Sequence, residues 1–138
     1  MADVFTPAER SRVMRAVRSR DTSPELKVRR MTTALGYRYR LHGKNVPGTP
    51  DLVFARLRKV VFVHGCFWHR HSCPRGQSTP AANKKFWLKK FARNTARDAA
   101  VRRLLRREGW RSLTIWECQL TAKKADRAAA RLKKFLES

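Results

Sequence analysis

A chain of 138 residues is long enough to bury one core unaided, and its 33 lysines and arginines against 10 acidic residues leave a net charge of +23. That excess calls for a polyanionic partner, nucleic acid first, because each neutralised phosphate releases condensed counterions; a histone-like packing protein fits the charge but not four tryptophans and a Cys/His cluster. No run approaches the roughly 18 apolar residues of a spanning helix, no lipidation motif or secretory h-region is read, and three cysteines in a reducing cytoplasm make no disulfide framework.

Thr6-Pro7-Ala8-Glu9 carries the signals of a helix start, which predicts a helix over 6–20. Val13, Met14 and Val17 lie on one side, with Arg10, Arg12, Arg15, Arg18 and Arg20 elsewhere. This is either an amphipathic lid or an arm that lies on DNA. Thr22-Ser23-Pro24-Glu25 repeats the start signal for a helix over 22–36, with Leu26, Met31, Ala34 and Leu35 as its core stripe and Gly36 ending it.

From 37 to 41 apolar and basic residues alternate, as in a half-buried or edge strand. The loop HGKNVPGTP then delivers Asp51 to the strand LVFA, and a basic turn leads into VVFV, a central strand because neither face is polar. Next comes VFVHGCFWHRHSC, read as loop from Gly65 to Pro74 because it has neither helical nor strand period. A helix is predicted over 83–108, with Phe86, Leu88, Phe91, Thr95, Val101, Leu104 and Leu105 as apolar contacts. A strand over 110–118 and a basic helix over 121–138 complete the chain. The order α-α-β-β-β-α-β-α, with a long helix between two apolar strands, implies a parallel crossover and an α/β fold with a mixed central sheet flanked by helices.

Cys66, His71 and Cys73 sit together, and Cys118 closes the last strand. If strands 60–64 and 112–118 are parallel neighbours, their ends bring all four together as Cys₃His, a closed set typical of structural zinc. The competing reading is two incidental buried cysteines and an unrelated third.

An antiparallel hairpin would bring Asp51 near His64, with His69 close by. A carboxylate suits Mg²⁺, which shares its remaining sites with water and phosphate oxygens, and histidine exchanges protons near neutrality. Singly, an Asp after Pro caps a turn and a strand-end His is a bystander; together, on so basic a chain, they point to phosphodiester hydrolysis. Phe67, Trp68 and Trp87 could wedge between base steps or be core, whereas Trp110 and Trp116 are read as core. Lys84, Lys85, Lys89, Lys90, Arg93 and Arg97 would track phosphates.

The stretches "TPDLVF", "VFVHGCFWHRHSC", "FWLKKFARNTARD", "GWRSLTIWEC" and "RSRVMRAVRSRDTSPE" resemble the very-short-patch repair (Vsr-type) DNA mismatch endonucleases over essentially the whole chain. The resemblance implies a single domain over 1–138 on a PD-(D/E)XK-like (restriction-endonuclease-like) core, with residues 1–21 as a DNA-contacting arm. It implies strand-specific nicking 5′ to the thymine of T:G mismatches left by 5-methylcytosine deamination, with catalytic Mg²⁺ and structural Zn²⁺. It further implies Asp51 as Mg²⁺ ligand, His64 and His69 as catalytic histidines, and Cys66, His71, Cys73 and Cys118 as the zinc set. Where the wider superfamily has a second carboxylate and a lysine, this chain has Phe62-Val63-His64, so the Val63 carbonyl and water would complete the Mg²⁺ shell and Glu25 would hold a water outside it. Phe67, Trp68 and Trp87 would intercalate, Met14 and the arm would close from the other groove, and Lys89 and Arg93 would meet phosphates. The expected setting is a monomer associated with the nucleoid, on double-stranded DNA and away from membranes, with mismatch-repair proteins and a DNA polymerase acting after the nick. A related zinc-containing nuclease of different specificity and a non-catalytic zinc DNA-binding module are the alternatives.

Overall fold

A computed structural model describes residues 22–138; the helix expected over 6–20, including Met14, lies outside the described residues. Helix α1 spans Ser23–Ala34. It starts as its capping signal requires: the Thr22 hydroxyl accepts from the Glu25 amide at 3.4 Å, and Pro24 occupies the first turn. The buried face, however, is Glu25, Val28 and Thr32. The expected stripe is corrected accordingly, with Leu26 38% exposed and Ala34 on the surface. The helix is rotated because Glu25 has buried partners, described below, that repay its desolvation.

Strand β1 is only Arg40–Leu41, shorter than the alternation over 37–41 predicts. Tyr37 and Tyr39 instead set their rings 6.4 and 6.3 Å from Phe54. Strands β2 (Leu52–Phe54), β3 (Lys59–His64) and β4 (Arg111–Trp116) follow. The sheet order is β1-β2-β3-β4; β1 and β2, and β2 and β3, pair antiparallel, and β3 and β4 pair parallel, from Lys59↔Arg111 to His64↔Trp116. The fold is therefore mixed α/β, with the hairpin and parallel pair that the sequence predicts.

Cys66–His69 forms one helical turn, α2, rather than loop. It is closed by the His69 amide donating to the Gly65 carbonyl and the His71 amide to the Cys66 carbonyl. Helix α3 spans Lys84–Arg107 and α4 spans Ala125–Glu137. On one sheet face Leu52, Phe54, Val61 and Ile115 pack with Val28 of α1 and Leu132 and Leu136 of α4; on the other, Val53, Val60 and Phe62 pack with Leu105 of α3. Covering both faces explains why the central strands carry no polar side. Phe86, Leu88 and Leu104, expected as apolar contacts, are exposed; the buried face of α3 runs through Trp87, Phe91, Asn94 and Leu105, and its first half meets the Cys/His segment instead of the sheet. Buried Lys59 fastens the end of α4, donating to the carbonyls of Phe135 (2.8 Å), Leu136 (3.2 Å) and Ser138 (2.5 Å). Among the described residues, no helix is long and apolar enough to cross a membrane.

Candidate catalytic cleft and metal cluster

The start of β2 and the end of β3 open onto a cleft of about 270 Å³ lined by Asp51, Val63, His64, His69, Arg97 and Asp98, among others. Asp51 is fixed at both ends. Its Oδ2 accepts from the Val63 amide at 2.6 Å, and its backbone carbonyl accepts from the His42 amide at 3.1 Å. Burial pushes its pKa up to about 6, against the Val63 hydrogen bond; Glu25 adds to the rise, and His42 and His69 oppose it. Beside it lies Glu25, 1% exposed, with Oε1 2.7 Å from His42 Nε2 and 3.2 Å from Arg29 Nη2. Donor atoms of Glu25, His42 and Asp51 all lie within 4.8 Å of one another.

Two imidazoles occupy the other end. His64 and His69 stack with centroids 3.8 Å apart and planes 5° from parallel. His69 Nδ1 donates to Asp98 Oδ2 at 2.6 Å, while His64 Nδ1 is buried without a hydrogen-bond partner. Burial lowers the His64 pKa to about 4, His69 and Arg102 adding to the effect and Asp98 opposing it. Burial works against the Asp98 carboxylate, but its bond to His69 and the surrounding positive charge outweigh that and hold it below the ordinary range. His64 is thus kept neutral, and His69 has a carboxylate that fixes its tautomer.

Cys66, His71, Cys73 and Cys118 come together as their spacing predicts: ligand atoms lie within 4.8 Å of one another, with Cys118 Sγ 3.5 Å from His71 Nδ1. The parallel register is the cause. His64 pairs with Trp116, and Cys66 and Cys118 each follow two residues later. Gly76 is obligatory here, since a Cβ would lie 1.9 Å from the His71 carbonyl oxygen. Burial pushes the Cys66 thiol up to about 12; at Cys73 burial is outweighed by hydrogen bonds, from His71 foremost, that bring it down to about 6. Three sulfurs and one imidazole nitrogen suit a tetrahedral soft-to-borderline ion and leave no open position. Trp116 stacks on His71 at 4.4 Å and meets His64 edge-on at 5.2 Å.

Phe67 and Trp68 are half-buried and rest on Trp87, which is 4% exposed, at 5.6 and 5.8 Å. Asn94 Nδ2 donates to the Trp68 carbonyl at 3.0 Å, tying α2 to α3. Lys90 Nζ stands 5.2 Å over the Trp68 ring, and Lys84, Lys85, Lys89, Arg93 and Arg97 are exposed along α3.

Residues 2–75 match the family model described as DNA mismatch endonuclease Vsr. The Xanthomonas oryzae pv. oryzae type II nicking enzyme V.XorIIP is 46% identical over 121 residues, 88% of each chain. The Escherichia coli DNA mismatch endonuclease Vsr is 42% identical over 120 residues, 87% of this chain and 76% of that one. The chain belongs to the Vsr family. The type II nicking enzyme V.NmeAIP of Neisseria meningitidis is 42% identical over 123 residues, 89% of this chain and 87% of its own.

In this Vsr-family chain the residues singled out from sequence fall into three groups: Asp51 with Glu25, His64 with His69, and the Cys₃His cluster. Met14 lies outside the described residues. Sequence reasoning missed His42 and Asp98. His42 could have been found by continuing the hairpin register one step past Leu41↔Leu52, which sets it opposite Asp51. Asp98 is the only acidic residue in α3, an isolation that is itself a signal.

Proposed function

We propose that this chain is a Mg²⁺-dependent, strand-specific mismatch endonuclease that nicks duplex DNA 5′ to the thymine of a T:G pair, on a PD-(D/E)XK-like core stabilised by structural zinc. The observation that carries the reading is the meeting of Asp51 with the stacked His64–His69 pair in one cleft of a chain with net charge +23.

Asp51, with the Val63 carbonyl, would hold Mg²⁺; when bound, that ion supplies Lewis-acid polarisation of the phosphate and neutralises its charge. Glu25 orients water from beside Asp51. His69, oriented by Asp98, moves the proton at Nε2, and His64, held neutral, contacts the reacting phosphate. Hydrolysis leaves a 5′-phosphate and a 3′-hydroxyl, the ends a polymerase and mismatch-repair proteins would use. Cys66, His71, Cys73 and Cys118 would hold zinc and with it the segment that presents His69. Phe67 and Trp68 wedge into the base stack; Trp87, expected to intercalate with them, is 4% exposed and is their support instead; Met14 and the N-terminal arm close from the other groove, and Lys89 and Arg93 meet phosphates. A wobble pair stacks less well, so opening it costs less, and selectivity comes from deformation.

Nicking measured across a panel of mismatched and fully paired duplexes in Mg²⁺ tests this. A single nick 5′ to T in T:G, absent from T:A, is expected. Equal cutting of paired DNA would mean a nuclease of different specificity, the reading that relatives named type II nicking enzymes favour. Binding without any nick would mean a zinc DNA-binding module.

A further inference from the structure

We propose that Glu25, His42 and Asp51 form a mixed nitrogen–oxygen site for a divalent first-row transition ion, so that the carboxylate end of the cleft takes Mn²⁺ in preference to Mg²⁺. The proposal rests on reading Asp51 as the metal-binding carboxylate, adds His42 as a ligand, and brings Glu25 from the outer water into direct contact with the ion.

Three ligand atoms within 4.8 Å of one another need close in only slightly for one ion: bond lengths of about 2.1 Å put adjacent ligands roughly 3 Å apart and opposite ones roughly 4.2 Å apart. The three come from separate places in the chain and are brought together by tertiary structure. Glu25 arrives on the first turn of α1, in the core stripe where an apolar residue belongs. His42 arrives from the end of β1 with φ of 50°, in the left-handed region that non-glycine residues seldom adopt. Two ladder bonds hold it there: its amide donates to the Asp51 carbonyl at 3.1 Å, and the Gly43 amide donates to the Pro50 carbonyl at 3.0 Å. The backbone thus ties His42 directly opposite Asp51.

In this arrangement His42 Nε2 and Glu25 Oε1 are hydrogen-bonded at 2.7 Å. A dication takes the place of the bridging hydrogen: the nitrogen lone pair and the carboxylate oxygen become ligands, the ring carries its proton on Nδ1, and no electrons change hands. Arg29, 3.2 Å from Glu25 Oε1 and 3.5 Å from His42 Nε2, is a positive charge that the entering dication displaces toward solvent. An imidazole nitrogen is a good donor to first-row transition ions and a poor one to Mg²⁺, which demands hard oxygens.

The full chain, zinc-loaded, is titrated with Mn²⁺ and examined by electron paramagnetic resonance with pulsed detection of nitrogen coupling. Expected results are a bound Mn²⁺ coupled to one imidazole ¹⁴N and at least roughly tenfold tighter binding of Mn²⁺ than of Mg²⁺ by competition. His42→Gln is expected to abolish the coupling and weaken Mn²⁺ roughly 10–100-fold, with the thermal midpoint confirming a folded variant. Coupling that survives in His42→Gln, or is absent from the wild type, overturns the proposal. Should His42→Gln fail to fold, His64→Ala and His69→Ala decide: coupling retained in both supports His42, and coupling lost in either overturns it. T:G nicking in Mg²⁺ without nitrogen coupling removes this inference and leaves the endonuclease reading intact. Undiminished nicking by Asp51→Asn removes both.

Discussion

The imidazole of His69, on the single turn that follows β3, donates through Nδ1 to Asp98, 29 residues later on α3, across 2.6 Å. This bond ties the segment carrying the Cys/His cluster to the long basic helix and determines which nitrogen faces the cleft. Asp98→Asn keeps the volume but can present its amide to the ring and so invert the tautomer. The expected outcome is a kcat for T:G nicking roughly 10–100-fold lower, with KM and mismatch affinity little changed. Single-turnover rates on T:G and T:A duplexes, with equilibrium binding beside them, check this.

His64 is read as touching the reacting phosphate. His64→Ala is expected to abolish nicking while leaving T:G binding within about twofold, since a ring buried beside His69 contributes little to duplex affinity. Gel-shift and nicking assays on one labelled duplex compare the two; near wild-type rates would take His64 out of the mechanism.

Asp51 must be ionised to hold a cation, and burial raises its pKa to about 6. Protons therefore compete with Mg²⁺ below that value. Affinity should fall about tenfold per pH unit as pH drops from 6 and level off above it. The linkage to stability has the opposite sense: in Mg²⁺-free buffer the folded state binds this proton more tightly than the unfolded chain, so the contribution is present below the ordinary carboxylate value of 3.8 and is lost as pH rises to about 6. His64 acts the other way, its folded pKa falling from 6.5 to about 4, so its contribution is present above 6.5 and is lost as pH falls through 4. The two offset between roughly pH 4 and 6. Denaturant melts of Asp51→Asn, where only His64 remains, should show stability rising with pH across that window.

The Cys₃His cluster predicts one zinc per chain by elemental analysis. Cys118→Ser, or a strong chelator, should lower the thermal midpoint and silence nicking together, because the four side chains are what draw the Gly65–Gly76 segment and the end of β4 to one point. Full stability in a zinc-free preparation would refute the site.

Trp68 and Trp87 should separate cleanly. Trp68 is half-buried beneath Lys90, and its replacement by Ala should cost DNA affinity about 1–3 kcal/mol with a small change in melting. Trp87 is 4% exposed and packs on Phe67 and Phe91, so Trp87→Ala should chiefly destabilise, by about 3–5 kcal/mol. Equilibrium melts and binding to T:G and T:A duplexes assign each effect.

What was legible in the sequence was whatever period or register controls. The hairpin, the parallel crossover and the meeting of Cys66 with Cys118 all follow from strand pattern and pairing arithmetic. What was not legible depended on partners in the third dimension. The buried face of α1 was misjudged because Glu25 stands in it, a charge that only His42 and Arg29 make tolerable. Phe86 and Leu88 looked like core, yet the first half of α3 runs past the sheet, while Leu104 falls one residue off the face that Leu105 buries. His42 and Asp98 were overlooked because each acquires meaning only from the residue it faces.

The indole of Trp116, flat against His71 and edge-on to His64, makes the Cys₃His cluster and the His64–His69 pair neighbours through a common wall. Damage to the sulfur cluster would loosen that wall and disturb the imidazole stack behind it, so a protein stripped of its anchor would fall silent rather than cut indiscriminately. For an agent whose errors would be breaks in a genome, that order of failure is the safe one.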